Sequence, residues 1–463
     1  MGKGMKTFFA PQAWVQGAWA KDVLLTMAAN GNWHSVQPGA TAQQQAGATQ
    51  LPGPVLPGLV NAHSHAFQRA MAGLTERRSA GAHASDDFWS WRDRMYSAAN
   101  RITPQQLEAI AGQLYAELLA GGYTQVCDFH YLHNDINGAA YYADPAEMAL
   151  ALVRAARRTG IGLTLLPTLY MRSGFKATGL REDQRRFFST PESVMRMVES
   201  IQRQTRGDAR INVGVAVHSL RAAGPSAMQE LTAAAKEAGL PVHIHIAEQT
   251  QEVEDCIAHT GQRPIEWLLG NADVDARWNL VHATHATPAE LQGVQGTGAS
   301  IVICPATEAN LGDGVFDLSA YAAAGGKWSI GSDSHVTRSW PEELRLLEYS
   351  QRLALRQRNI AARVLANESS AAGLFEAALA GGFPATGRMQ AGLAPGHRAD
   401  FVMLDLDSPA LLGVPAGHLL DALVFSSPGA AFGEVYVAGE AVSALPSQHT
   451  EAFARAMREL WEA

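Results

Sequence analysis

The segment Val60-Asn61-Ala62-His63-Ser64-His65 sets two histidines one residue apart at the end of an apolar run that begins at Val55. Residues two apart on a β-strand project to the same face, so both imidazoles can point to one place. Two imidazoles, a third from another strand and one carboxylate suit a borderline divalent ion such as zinc. His245 in "HIHIAE" and Asp333 in "GSDSH" are candidate third and fourth ligands. His243 shares the parity of His245, and spacing alone does not choose between them. A divalent ion held this way lowers the pKa of bound water from about 15.7 towards about 7, giving hydroxide at neutral pH.

Such ligands are far apart in the chain, so a fold must gather them. From residue 55 onward, short apolar runs alternate with longer helical patterns. The runs are 54–63, 123–130, 161–169, 211–218, 241–248, 278–284, 299–305 and 327–333. Between them lie patterns such as "TPQQLEAIAGQLYAELLAGG" (103–122), with Thr103 as N-cap, Pro104 at the first helical position and Gly121-Gly122 at the stop. The segment 224–239 repeats the design. Buried parallel strands read as continuous apolar runs, and eight of them alternating with helices predict a (β/α)8 TIM barrel. Chemistry in that fold gathers at the C-terminal ends of the strands. The runs end in His63 and His65; His130 and Tyr131; His218 and Arg221; His243, His245 and Glu248; His282 and His285; and Asp333.

Residues 1–54 and 391–463 carry shorter strand-like fragments, with Asn30-Gly31 as a hairpin turn. They predict a small β-sandwich-like module built from both ends of the chain, beside a barrel over 55–390. The chain has 463 residues, 47% hydrophobic and 17% charged, enough for a large core. Its net charge of −8 comes without a basic stripe, which argues against nucleic acid or an anionic membrane as partner. Cys127, Cys256 and Cys304 lie far apart and read as reduced thiols. Neither a secretory signal nor an apolar stretch of about 18 residues is legible, and a cytoplasmic protein is expected.

The segments "PGLVNAHSHAFQR", "HIHIAEQTQEV", "LVHATH" and "GSDSH" resemble the amidohydrolase superfamily, in the branch holding cytosine and adenosine deaminases. "GLAPGHRADFVMLD" and "VYVAGEAV" are similar to the closing β module of that superfamily. The resemblance implies that His63, His65, His245 and Asp333 bind one divalent metal, zinc in the first instance. It implies catalytic roles for Glu248, His282 and Asp333. Binuclear members carry a bridging lysine or glutamate after the fourth strand; "VAVHSLR" has neither, which implies a single ion. Chemically, Glu248 can take a proton from water and return it to a substrate nitrogen. His282 can polarise the tetrahedral centre, and Asp333 can help move a proton to departing ammonia.

Further along, "NAHSHAFQRAMAGLTE", "FWSWRDRMY" (88–96), "CDFHYLHND" and "VAVHSLRAA" resemble the formimidoylglutamate deiminase family of histidine degradation. The resemblance implies hydrolysis of N-formimidoyl-L-glutamate to N-formyl-L-glutamate and ammonia, with Gln68, Arg92, Tyr131, His218 and Arg221 binding substrate. A homodimer is implied as well. A substrate with two carboxylates needs fork-shaped cationic donors, which favours the arginines. Arg92, in what reads as a Trp-rich loop, can instead stack on Trp89 or Trp91. The alternatives are another deaminase of the branch, acting on guanine, S-adenosylhomocysteine or a triazine, and a non-catalytic relative. His130, His133, His285 and His335 receive no role from the sequence.

Overall fold

A computed structural model describes residues 5–77, 88–141, 143–388, 392–426, 431–442 and 447–462. The eight expected runs form eight strands: Leu59–Ser64, Tyr123–His130, Gly162–Leu169, Val215–Val217, Val242–Ile246, Trp278–His282, Ser300–Ile303 and Lys327–Ile330. Neighbours pair in parallel, in chain order. The ring closes through a bridge between Ser64 and Asp333, where His65 N–H donates to the Asp333 carbonyl (3.3 Å) and Asp333 N–H to that of His63 (3.1 Å). The barrel is thus sealed at the residues expected to bind metal.

Two runs that read as single strands are broken, each at a glycine. The first divides at Gly58, where a Cβ would collide with the Thr124 side chain. Val55–Pro57 accordingly leaves the barrel and pairs with the terminal module. The fourth divides at Gly214, where a Cβ would lie 2.7 Å from Leu166 Cδ2, leaving Ile211–Val213 paired only to the third strand. Helix Pro104–Ala120 starts as expected: the Thr103 hydroxyl accepts from Gln106 N–H, and the Gln106 side chain accepts from Thr103 N–H. Such a cap contributes about 1 kcal/mol. Leu107, Ile110, Ala111, Leu114 and Leu118 then form the buried stripe against the barrel.

The module is one eight-stranded sheet. It takes Lys6–Val15, Ala18–Met27, Trp33–Gln37, Thr49–Gln50 and Val55–Pro57 from the N-terminal side, and Phe401–Leu404, Phe432–Val437 and Glu440–Val442 from the C-terminal side. It curls until Trp33, near one edge, meets Phe401 at 5.6 Å between ring centroids. The inner face of that curl closes on a separate core that includes Phe8, Val23, Leu25, Phe401 and Tyr436, while Leu56, Val402, Leu404, Val435 and Val437 on the other face join the main core. The Asn30-Gly31 turn is present, with Gly31 at φ +82°. The expected junction at 390/391 lies outside the described residues. Within 391–463, helices Leu419–Phe425 and Ser447–Trp461 pack on the barrel's helices rather than on the sheet, because their apolar stripes, such as Ala456 and Leu460, belong to the main core.

Candidate active site

The first, fifth and eighth strands end at the same mouth of the barrel. There His63, His65, His245 and Asp333, all buried, hold four ligand atoms within 4.8 Å of one another. The three Nε2 atoms are 3.0 to 3.3 Å apart. Asp333 Oδ1 lies 3.4 Å from His63 Nε2 and 3.3 Å from His65 Nε2. His65 Nδ1 sits 2.8 Å from the Phe129 carbonyl, and His245 Nδ1 2.9 Å from that of His218. A carbonyl only accepts, so both Nδ1 atoms carry the hydrogen and both Nε2 lone pairs face the cluster. Burial holds the His63 and His245 imidazoles well below their ordinary pKa, and the neighbouring imidazoles add to this. Neutral imidazoles converging on a carboxylate fit a divalent cation. His243 does not join them: it sits deeper and bonds the Ala385 carbonyl through Nε2 at 2.7 Å.

His282 and Glu248 stand beside this cluster. His282 Nε2 is 3.7 Å from both Glu248 Oε1 and Asp333 Oδ2. Burial pushes the Glu248 carboxyl up to about 7, against the pull of His282. Burial alone would lower His282, yet Glu248, Glu308 and Asp333 outweigh it and raise the imidazole to about 10. The sequence reading missed Glu308, whose Oε1 lies 3.2 Å from His282 Nδ1 and also accepts Cys304 N–H at 2.9 Å. Its signal was a glutamate one helical turn beyond the seventh run. Glu252, also missed, accepts the backbone N–H groups of Ala247 and Glu248, each at 3.2 Å, and pins the loop that carries the acid. Several residues at this mouth hold left-handed backbone: Ala247, His282, Ala283, Asp333 and His335 have φ between +43° and +70°. Strain of this kind, about 1–3 kcal/mol each, clusters at functional sites.

Over the cluster opens a cavity of about 460 Å³, lined by Gln68, Arg92, Tyr131, His218 and Arg221 together with His65, His245, Asp333, Glu248 and His282. All five expected substrate-binding residues therefore meet at one place. Phe88, Met95, Tyr96 and Leu311, which the sequence reading did not single out, complete its walls. Arg92 lies not on a loop but on helix Phe88–Ala99, whose buried Phe88, Met95, Tyr96 and Ala99 recur at helical spacing. Its guanidinium stacks on Trp89, 4.5 Å from the ring centre, and still reaches the cavity. Among the described residues, Arg92 Nε and Arg221 Nε are buried without hydrogen-bond partners. Gln68 Nε2 donates to the Tyr131 hydroxyl at 3.1 Å, while Gln68 Oε1 is buried and has no partner among the described residues.

Two of the histidines left without a role are held by backbone carbonyls. His335 Nε2 donates to the His65 carbonyl at 3.0 Å. His133 Nε2 donates to the Thr168 carbonyl at 2.9 Å, and its Nδ1 is buried without a partner. Burial pulls the His133 imidazole down to about 4 from an ordinary 6.5. The unfolded chain thus binds the proton first, and the stabilising contribution is complete above pH 6.5 and lost as pH falls towards 4. His133→Gln should lose about 2 kcal/mol less stability than the parent between pH 6.5 and 5. Denaturant unfolding at the two pH values measures this.

The conserved-domain model of the amidohydrolase family matches residues 55–442. The chain belongs to the amidohydrolase family. Members of this family are metal-dependent, in keeping with the buried three-histidine, one-aspartate cluster. A curated formimidoylglutamate deiminase of Pseudomonas aeruginosa is 46% identical over 437 residues, 94% of each chain. A 5-methylthioadenosine/S-adenosylhomocysteine deaminase of Natronomonas pharaonis is 25% identical, covering 84% of this chain and 81% of that one. The crystal structure of an amidohydrolase from Brucella melitensis superposes with a TM-score of 0.91 at 43% identity, covering 98% of this chain and 99% of the other. A zinc-bound adenosine deaminase from Xanthomonas campestris shares the fold, with a TM-score of 0.79 at 22% identity over 98% of this chain and 97% of that one. Among the described residues, no helix is long and apolar enough to cross a membrane.

Proposed function

We propose that the chain hydrolyses N-formimidoyl-L-glutamate to N-formyl-L-glutamate and ammonia. The observation that carries this reading is a pair of arginines, Arg92 and Arg221, each lining the cavity with a buried Nε that has no partner among the described residues. Guanidinium groups whose buried Nε–H is left without an acceptor call for an anion, and two of them suit a dicarboxylate, although Arg92 Nη2 also lies 3.8 Å from Asp93 Oδ1. The 46% identical relative from Pseudomonas aeruginosa supports the same substrate. A purine offers these arginines no carboxylate.

In this reading, residues 55–390 are the catalytic unit and the module from 1–54 and 391–463 is accessory. His63, His65, His245 and Asp333 would hold one ion, zinc by the preference of the donor set. When bound, it supplies Lewis-acid activation of water. Arg221 and Arg92 bind the carboxylates, with the Tyr131 hydroxyl and His218 beside them. Gln68 Oε1, unpartnered in the cavity, accepts a hydrogen bond from the formimidoyl N–H. Glu248 takes a proton from the attacking water and passes it to the departing nitrogen; its raised pKa suits both directions near neutrality. His282, kept protonated and aimed by Glu308, donates towards the charge that develops on the tetrahedral centre. Collapse of that centre breaks the C–N bond and releases ammonia. The resemblance extends the reading to a homodimer in the cytoplasm.

Ammonia release from N-formimidoyl-L-glutamate, measured beside guanine, adenosine and S-adenosylhomocysteine, tests the reading; activity confined to the purines overturns it. Chelation should abolish turnover and lower Tm, and added zinc should restore both. At free metal a thousandfold above Kd the stabilisation is about 4 kcal/mol.

A further inference from the structure

We propose that Arg172 is a positioning residue for substrate binding: its guanidinium fixes the loop that presents Arg221, and it thereby sets KM rather than turnover. The inference rests on the dicarboxylate reading above. Arg172 follows the third barrel strand, and the loop 218–223 follows the fourth. Met171 N–H and Arg172 N–H both donate to the Ala222 carbonyl, at 2.7 and 3.0 Å. The guanidinium then takes the carbonyls on either side: Nη2 donates to Leu220 (2.9 Å) and Ala223 (3.0 Å), and Nε to Arg221 itself (3.1 Å). Among the described residues it has no carboxylate partner. A half-buried charge is therefore spent wholly on backbone, and burial lowers its pKa.

The two backbone bonds to Ala222 and the turn closed on the Ser219 carbonyl hold the middle of the loop, while Leu220, Arg221 and Ala223 offer their carbonyls to the guanidinium. Behind it lies a second cavity of about 600 Å³, lined by Arg172, Leu220, Ala223, Met228, His259 and Trp267. In front, the same loop aims Arg221 into the active-site cavity, and its His218 carbonyl orients His245. The fork of an arginine spans several carbonyls at once; a lysine, with a compact ammonium, does not reproduce that geometry. Freed from the fork, the loop can retreat into the space behind it and carry Arg221 away from the substrate.

The test uses the metal-loaded, full-length enzyme. Arg172→Met and Arg172→Lys should each raise KM for N-formimidoyl-L-glutamate by about tenfold or more, with kcat within about threefold, the pattern of lost uniform binding. Metal content per chain should not change. The Kd of N-formyl-L-glutamate, measured by calorimetry, should rise by the same factor as KM. In an Arg221→Met background, Arg172→Met should add less than about twofold, because residues acting through one contact are not additive. If Arg172→Met does not fold, Arg172→Lys carries the comparison. A fall in kcat at constant KM, an unchanged KM, or the same fold-loss in both backgrounds overturns the proposal. A parent enzyme inactive on N-formimidoyl-L-glutamate would overturn the substrate reading instead, and the two failures are thereby distinct.

Discussion

Glu248→Gln should load metal like the parent and turn over substrate at least about a hundredfold more slowly, since a positioned general acid–base is worth about 10²–10⁴. Glu248 Oε1 lies 3.7 Å from His282 Nε2, which lies 3.7 Å from Asp333 Oδ2 in the ligand cluster. The amide keeps the shape of the side chain and the backbone clamp supplied by Glu252, but it can neither take a proton from water nor deliver one. Metal per chain and kcat, measured on the same preparation, separate loss of chemistry from loss of the ion. A variant retaining a tenth or more of the parental kcat would remove Glu248 from proton transfer.

Arg221→Met should weaken the enzyme differently. Among the described residues no carboxylate forms an ion pair with the buried guanidinium, whose Nε has no partner, although Glu252 and Glu248 lie near enough to hold its pKa up; the substrate supplies the direct partner. Truncating one member of a buried charged pair costs about 2–5 kcal/mol, and kcat/KM should fall by at least about thirtyfold, mostly through KM. The free enzyme should not suffer: an unpaired buried charge is itself costly, and Tm should stay constant or rise. Arg92→Met should cost less, because Arg92 also stacks on Trp89. Equal KM values in Arg221→Met and the parent would place Arg221 outside the substrate site.

Most of the barrel is legible in the sequence because strands buried on both faces are continuous apolar runs, and the polar residues that end them are the ones the fold gathers. What is not legible depends on neighbours remote in sequence. Nothing near Gly58 or Gly214 announces that Thr124 or Leu166 will press on them and split the strand. His243 and His245 share a face, and only the carbonyl of Ala385, 142 residues away, draws His243 out of the ligand set. The stretch 88–96 reads as a loop because its aromatics and serine obscure a helical period that emerges once Phe88, Met95 and Ala99 are seen buried. Glu308 escapes for a related reason: its role lies in a contact with His282 across two strand ends. The ligands, in contrast, lie at strand termini where spacing and fold class point the same way.

The central claim is that two arginines select a dicarboxylate above a hydrolytic metal site. Its most direct test is the ratio of kcat/KM for N-formimidoyl-L-glutamate to that for N-formimidoylglycine, which keeps the reacting group and loses one carboxylate. The account predicts a ratio of at least about thirty, from one lost charge pair worth about 2 kcal/mol or more, with the ratio collapsing in Arg221→Met. A ratio near one in the parent enzyme would contradict it.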